Sequence, residues 1–200
     1  MKREHLEHLI RAACRIAEVK KIYIFGSQSI LGKYPDAYSM FSQDGVDFLL
    51  SVKNALSLTR SVEADILVPD SDHKTELIEG ALGEQSTFHN THGYYAQGID
   101  MTTCTLPQGW EHRLTEIIVH EEDGPFVGLC LDPADMVLSK LYANREKDIE
   151  FSRNALSLGI VTQNSLLKRL NTMPISQDRK ETISRIIKGL ASNARQTPSI

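Results

Sequence analysis

Apolar residues return at Leu6, Leu9, Ile10, Ala13 and Ile16, the spacing of one helix face, so an amphipathic helix is expected from about residue 3 to residue 18. The run KIYIF at 21–25 follows and is nearly continuous in apolar character, which predicts a strand buried on both faces, inside a sheet. It stops at Gly26-Ser27, and SQSILGKY then reads as a short helix ending near Gly32, ahead of Pro35. From Asp36 to Arg60 the polar YSMFSQDG reads as a loop and VDFLLSVKNALSLT as helix, which places this stretch outside the sheet.

The pattern then returns to period two. SVEADILVP predicts a second strand with Val62, Ala64, Ile66 and Val68 on one face and Glu63 and Asp65 on the other, ended by Pro69. DHKTELIEGALG reads as a helix closed by Gly83, and GYYAQGIDMTTCTL as one or two strands with Asp100 between Ile99 and Met101. LTEIIVH and PFVGLCL, joined by the turn-forming EEDG, predict a hairpin. From Asp132 the character changes: an Asp N-cap and a Pro at the first helical position open one helix running to Gly159, followed by QNSLLKRLNTM and SQDRKETISRIIKGLASNA as further helices. A mixed α and β part over residues 1–131 thus precedes a helical part over 132–200, within an α+β architecture.

Composition narrows the classes. With 41% hydrophobic and 24% charged residues the chain is that of a globular protein with a sizeable core. A net charge of -4 argues against a strongly basic nucleic-acid binder and leaves any RNA or DNA contact to a local basic face. No apolar run approaches the roughly 20 residues of a membrane span, and the charged start MKREHLEHLI lacks a signal-peptide core, so a cytoplasmic protein without a membrane partner is expected. Cys14, Cys104 and Cys130 are scattered in apolar surroundings, without zinc or disulfide spacing, and read as small core residues.

Two features carry candidate chemistry. Glu63 and Asp65 lie two apart on a predicted strand, so both carboxylates leave the same face, and two like charges held together call for a cation. Mg²⁺ accepts one or two carboxylates together with substrate phosphates; the plainer reading is the solvent face of a strand. Gly26-Ser27, a strand end that opens a helix, exposes backbone N–H groups toward a phosphate: glycine removes the Cβ that would block approach and the Ser27 hydroxyl can donate. Asp100 offers a third carboxylate on a later strand.

These elements resemble the nucleotidyltransferase superfamily, whose signature is an apolar strand, a Gly-Ser or Gly-Gly at a helix start, an acid-x-acid strand and a third acid on a later strand; here they are IFGSQ, VEADI and GIDMT. The resemblance implies a mixed β-sheet core flanked by helices and transfer of a nucleoside monophosphate from an NTP such as ATP. It also implies two Mg²⁺ ions bound by Glu63, Asp65 and Asp100, with Gly26 and Ser27 holding the triphosphate. DPADMVLSKLYANREKDIEF is similar to the fourth motif of bacterial abortive-infection and toxin-antitoxin nucleotidyltransferases, which puts Lys140, Arg145 and Asp148 in its Lys, Arg and Asp positions. On that likeness Lys140 and Arg145 offset phosphate charge, Lys140 orients the leaving group, and Asp148 holds Arg145 or a neighbouring lysine; the plainer reading is a charged helix surface. The same likeness implies a companion antitoxin and an acceptor hydroxyl on tRNA, a protein or a small molecule.

The chain departs from the family pattern in two ways. Thirty-five residues separate Ser27 from Glu63, which an insertion near Asp36 to Thr59 explains; were that segment a sheet strand, Asp44 or Asp47 would take the metal instead. The first acid is Glu rather than Asp, which keeps a catalytically inactive binding module of the same fold, gripping a partner through its cleft or helical half, as the alternative. Among other candidates, His89 and His92 lack a third zinc ligand and suit a loop or base stacking, and Trp110 suits a lid over the core.

Overall fold

The computed structural model describes residues 1–35 and 56–195, and the stretch carrying Asp44 and Asp47 lies outside them. The described chain runs through α1 (Arg3–Ile16), β1 (Lys21–Phe25), a 3-10 turn (Ser27–Ser29) with α2 (Ile30–Lys33), β2 (Glu63–Leu67), α3 (Asp72–Leu82), α4 (Thr87–His92), β3 (Tyr95–Gly98), the hairpin β4 (Thr115–Val119) and β5 (Phe126–Cys130), then α5 (Pro133–Ala143), α6 (Glu146–Ser157), α7 (Gln163–Leu170) and α8 (Gln177–Arg195). It divides into two compact units: residues 1–35, 59–103 and 113–132 form a sheet unit, and residues 56–58, 104–112 and 133–195 a helical unit.

The sheet unit holds a mixed five-stranded sheet in the order β3-β2-β1-β5-β4. The near-continuous apolar run of β1 accordingly lies in the middle, antiparallel to β2 and parallel to β5. Strand alternation sorts the side chains: Ile22, Ile24, Ala64, Ile66, Ala96 and Ile117 are fully buried on the face against which α1 packs. The expected α1 face is observed, with Leu6, Leu9, Ile10 and Ala13 at 0% exposure, each Leu or Ile contributing about 1.5–3 kcal/mol of burial. α1 comes this close because Gly128 faces it: a Cβ there would lie 2.5 Å from Ile10 Cδ1. Arg11 and Arg15 of α1 both pair with Glu121 at the β4–β5 turn, the latter at 2.5 Å.

Local chemistry ends the elements where the sequence places the stops. Ser71 caps α3 by accepting from Lys74 N at 3.4 Å, and Gly83 follows its last residue. Val62, expected in the core row of β2, lies just before the strand and is 46% exposed. Only one strand forms in GYYAQGIDMTTCTL: after Gly98 the chain turns into a short 3-10 segment, Met101–Thr103.

In the helical unit the single helix expected from 133 to 159 is two. Asn144 takes φ +56° and Arg145 an extended φ -81°, ψ 155°, so α5 closes on a left-handed Asn and α6 opens at Arg145. Asn tolerates that conformation better than other non-glycine residues, which makes the ANR step a stop and a start. Thr162 and Ser165 then form a reciprocal capping box that opens α7. The buried Asp135 of α5 is held by Arg169 of α7 at 3.3 Å, and Ile183, Ile187, Leu190 and Ala191 form the buried stripe of α8. No helix among the described residues is long and apolar enough to cross a membrane.

Candidate functional site

Glu63 and Asp65 project from the half-exposed face of β2, opposite the buried Ala64 and Ile66. Two residues along a strand set their Cα atoms about 6.6 Å apart, within joint reach of one ligand. Register adds three neighbours on the same face: Glu63 lies opposite Tyr95 of β3, and Asp65 opposite Gln97 on one side and Phe25 on the other.

The Phe25 pairing brings the acidic strand to the Gly-Ser turn. Gly26 has φ +60° and ψ -162°, a region open to glycine alone, and a Cβ built on it would lie 1.9 Å from Asp65 Oδ2 and 2.9 Å from its Cγ. The Asp65 carboxylate therefore occupies the space that any side chain at position 26 would fill. Ser29 Oγ donates to Gly26 O at 2.8 Å and Gln28 Nε2 to Ser61 O at 2.9 Å, which pin the turn and leave Ser27 half-exposed at its start. The buried Gln28 Oε1 accepts no hydrogen bond among the described residues.

Tyr95 was not a sequence candidate for this site. Its hydroxyl donates to Glu63 Oε2 at 3.0 Å, and burial, then the bond to Glu63, push its pKa up to about 12, so it stays a donor across the physiological range. His89 packs on the Tyr95 ring at 4.6 Å between centroids and accepts from Gln85 N through Nδ1. It lies on α4 rather than in a loop, and His92 packs against Phe88, Tyr94 and His8. The pairing of Tyr95 and Gln97 with the two acids becomes legible only once the β2–β3 register is known.

Asp100 is not brought to the pair. The parallel ladder ends with Ile99 N donating to Ile66 O, and Asp100 lies three residues beyond Gln97, exposed, with Oδ1 accepting from the Thr102 N–H at 2.6 Å and from the Thr102 hydroxyl. That hydroxyl, followed by the backbone N–H, holds its carboxyl below the usual range. Asp100 caps a 3-10 turn, a role period-two reading of GIDMT does not anticipate.

In the helical unit Lys140 donates to Asp148 Oδ1 at 3.1 Å and lies 5.0 Å from the Phe151 ring centre. Asp148 is buried and holds this lysine, one of the two partners expected for it, while Arg145 is exposed at the start of α6. Trp110 is buried within its own unit, at 8% exposure. Cys14 and Cys130 are core residues whose thiols burial pushes up to about 12; Cys104 is half-buried.

The donors at the pair fit a hard cation: half-exposed carboxylate oxygens on one face with the Gln97 amide on the neighbouring strand. Among the described residues no group of three or more His, Cys, Asp or Glu is arranged to hold a metal ion, and two carboxylates are a number with which Mg²⁺ can bind when phosphates and water complete its shell. No curated protein and no solved structure matches the chain. Residues 4–185, which take in both units, match a family model described as a nucleotidyltransferase of unknown function (DUF6036), and the chain belongs to that family.

Proposed function

We propose that the chain transfers a nucleoside monophosphate from an NTP to a hydroxyl acceptor, with Glu63 and Asp65 as the Mg²⁺ ligands. The observation that carries this reading is the seating of the Asp65 carboxylate on Gly26, which joins the two halves of the family signature at one point. Mg²⁺, when bound, neutralises phosphate charge and favours the deprotonated acceptor hydroxyl. Gly26 makes room for the Asp65 carboxylate against the turn, Ser27 donates to a phosphate oxygen, and Tyr95 keeps Glu63 in one rotamer. The reaction forms a bond from the acceptor oxygen to the α-phosphorus and breaks the α–β bridge; pyrophosphate leaves and the acceptor proton passes to solvent.

A second reading, a nucleotide-binding module without transfer, is favoured by the position of Asp100 away from the pair. The two separate on incubating the protein with each α-³²P-labelled NTP, Mg²⁺ and a cell extract. The transferase reading expects label in a macromolecule or small acceptor, lost in Asp65→Asn; absence of transfer with all four nucleotides rejects it. A role as the toxin of a toxin-antitoxin or phage-defence system is part of the same proposal. It expects growth arrest on expression that Asp65→Asn abolishes.

A further inference from the structure

The chain's charge is unevenly distributed. Residues 163–200 hold seven Lys or Arg against two acids, Asp178 and Glu181, a net +5, so residues 1–162 carry -9 of the total -4. Three of the seven, Lys180, Arg185 and Lys188, gather where α7 and α8 meet. A cavity of about 490 Å³ lies there, floored by Leu167 and Leu170 and walled by Lys180, Ser184, Arg185 and Lys188. Positions 177, 180, 181, 184, 185 and 188 share one stripe of α8, which flanks the buried stripe of Ile183, Ile187 and Leu190. Lys180 to Lys188 spans about 12 Å along the axis at 1.5 Å per residue.

The cations are not consumed by neighbours. Lys180 Nζ donates to a carbonyl, Asn171 O, at 2.8 Å, and Arg185 to the Thr182 hydroxyl at 3.2 Å. Lys188 is exposed and forms no ion pair with any described residue. The one acid lining the cavity, Glu181, accepts from Gln177 Nε2 at 3.2 Å.

We propose that this groove docks a single strand of RNA, Lys180, Arg185 and Lys188 meeting the phosphodiester backbone and the half-exposed Leu167, backed by the buried Leu170, receiving the face of an unstacked base. The complementarity is to a strand with regularly spaced negative charge and apolar bases, which single-stranded RNA presents. A duplex has no free base for that floor. RNA docking stands apart from nucleotide transfer; only its extension, that RNA supplies the acceptor hydroxyl, rests on the function proposed above.

The test is fluorescence anisotropy of the full chain with a labelled mixed-sequence RNA 12-mer between 50 and 200 mM salt. Each phosphate contact on a single strand adds about 0.7 to the slope of log affinity against log salt, so the triple variant Lys180→Gln, Arg185→Gln, Lys188→Gln should flatten it by about 2. Wild-type affinity should then fall about 20-fold more than the variant's over that range. Glu181→Gln, which removes the opposing charge, should bind more tightly, and Asp65→Asn should bind RNA as wild type does even where nucleotide binding is lost. Unchanged slope and affinity in the triple variant, no wild-type binding at 50 mM salt, or capture of poly-aspartate in place of RNA would overturn the assignment.

Discussion

Replacing Gly26 with alanine tests the junction on which the site depends. A methyl group there would sit 1.9 Å from Asp65 Oδ2, far inside contact distance, on a backbone with φ +60° and ψ -162°. The backbone strain alone costs about 1–3 kcal/mol, and displacement of the carboxylate adds an overpacking cost of about 1–3 kcal/mol, so a loss of roughly 2–6 kcal/mol is expected. Gly93 is the reference: it has φ +76° with no atom within 4 Å of a built Cβ, so Gly93→Ala should lose only about 1–2 kcal/mol, the ordinary left-handed penalty. Urea denaturation followed by circular dichroism reads both, with a slope of about 1–3 kcal/mol per molar converting midpoint shifts to free energy. Adding Asp65→Ala should recover part of the Gly26→Ala loss, a coupling of about 1–2 kcal/mol. If Gly26→Ala costs no more than Gly93→Ala, or if the double variant shows no coupling, the carboxylate is not seated on the glycine and the reasoning fails.

Other expectations follow from single contacts. Tyr95→Phe should cost about 1–2 kcal/mol in the same denaturation assay, a hydrogen bond to a charged group, and weaken metal-dependent nucleotide binding by freeing Glu63. Asp148→Ala should destabilise by about 3–5 kcal/mol because it leaves Lys140, 18% exposed, without its buried partner, whereas the exposed Arg145→Ala should stay within about 0.5 kcal/mol. Burial, then the neighbouring His92, lowers the His8 pKa from 6.5, so its contribution is complete above that value and is lost as pH falls toward the folded pKa; chemical-denaturation midpoints from pH 7.5 to 5 should decline, and less so in His8→Gln. Cys14 and Cys130 should resist a thiol reagent under native conditions and react on unfolding.

Much of the fold was legible because long apolar periods and strong stops agreed. α1, β1 as an interior strand, β2, the α3 stop at Gly83, the β4–β5 hairpin and the Pro133 start all follow from pattern and capping chemistry. Two misreadings share a cause. Asn144 and Asp100 are residues whose short polar side chains or left-handed tolerance redirect the chain locally, and neither leaves a mark on hydrophobic periodicity. For the candidate site, the convergence of Gly26 with Asp65 could be anticipated from the motif, while the roles of Tyr95 and Gln97 could not. They depend on which residue of β3 lies opposite which residue of β2, and a shift of one would place both on the buried face. The bond from Lys140 to the buried Asp148 of the next helix agrees with the expectation that Asp148 holds Arg145 or a neighbouring lysine.

The account turns on Glu63 and Asp65 binding a nucleotide through Mg²⁺ beside Gly26. Isothermal titration of the full chain with a non-hydrolysable NTP, with Mg²⁺ and with EDTA, for wild type and Asp65→Asn, addresses it most directly. The account predicts binding by wild type in Mg²⁺ alone and none by the variant. Nucleotide binding that persists in EDTA or in Asp65→Asn, or none by wild type with any of the four bases, would contradict it.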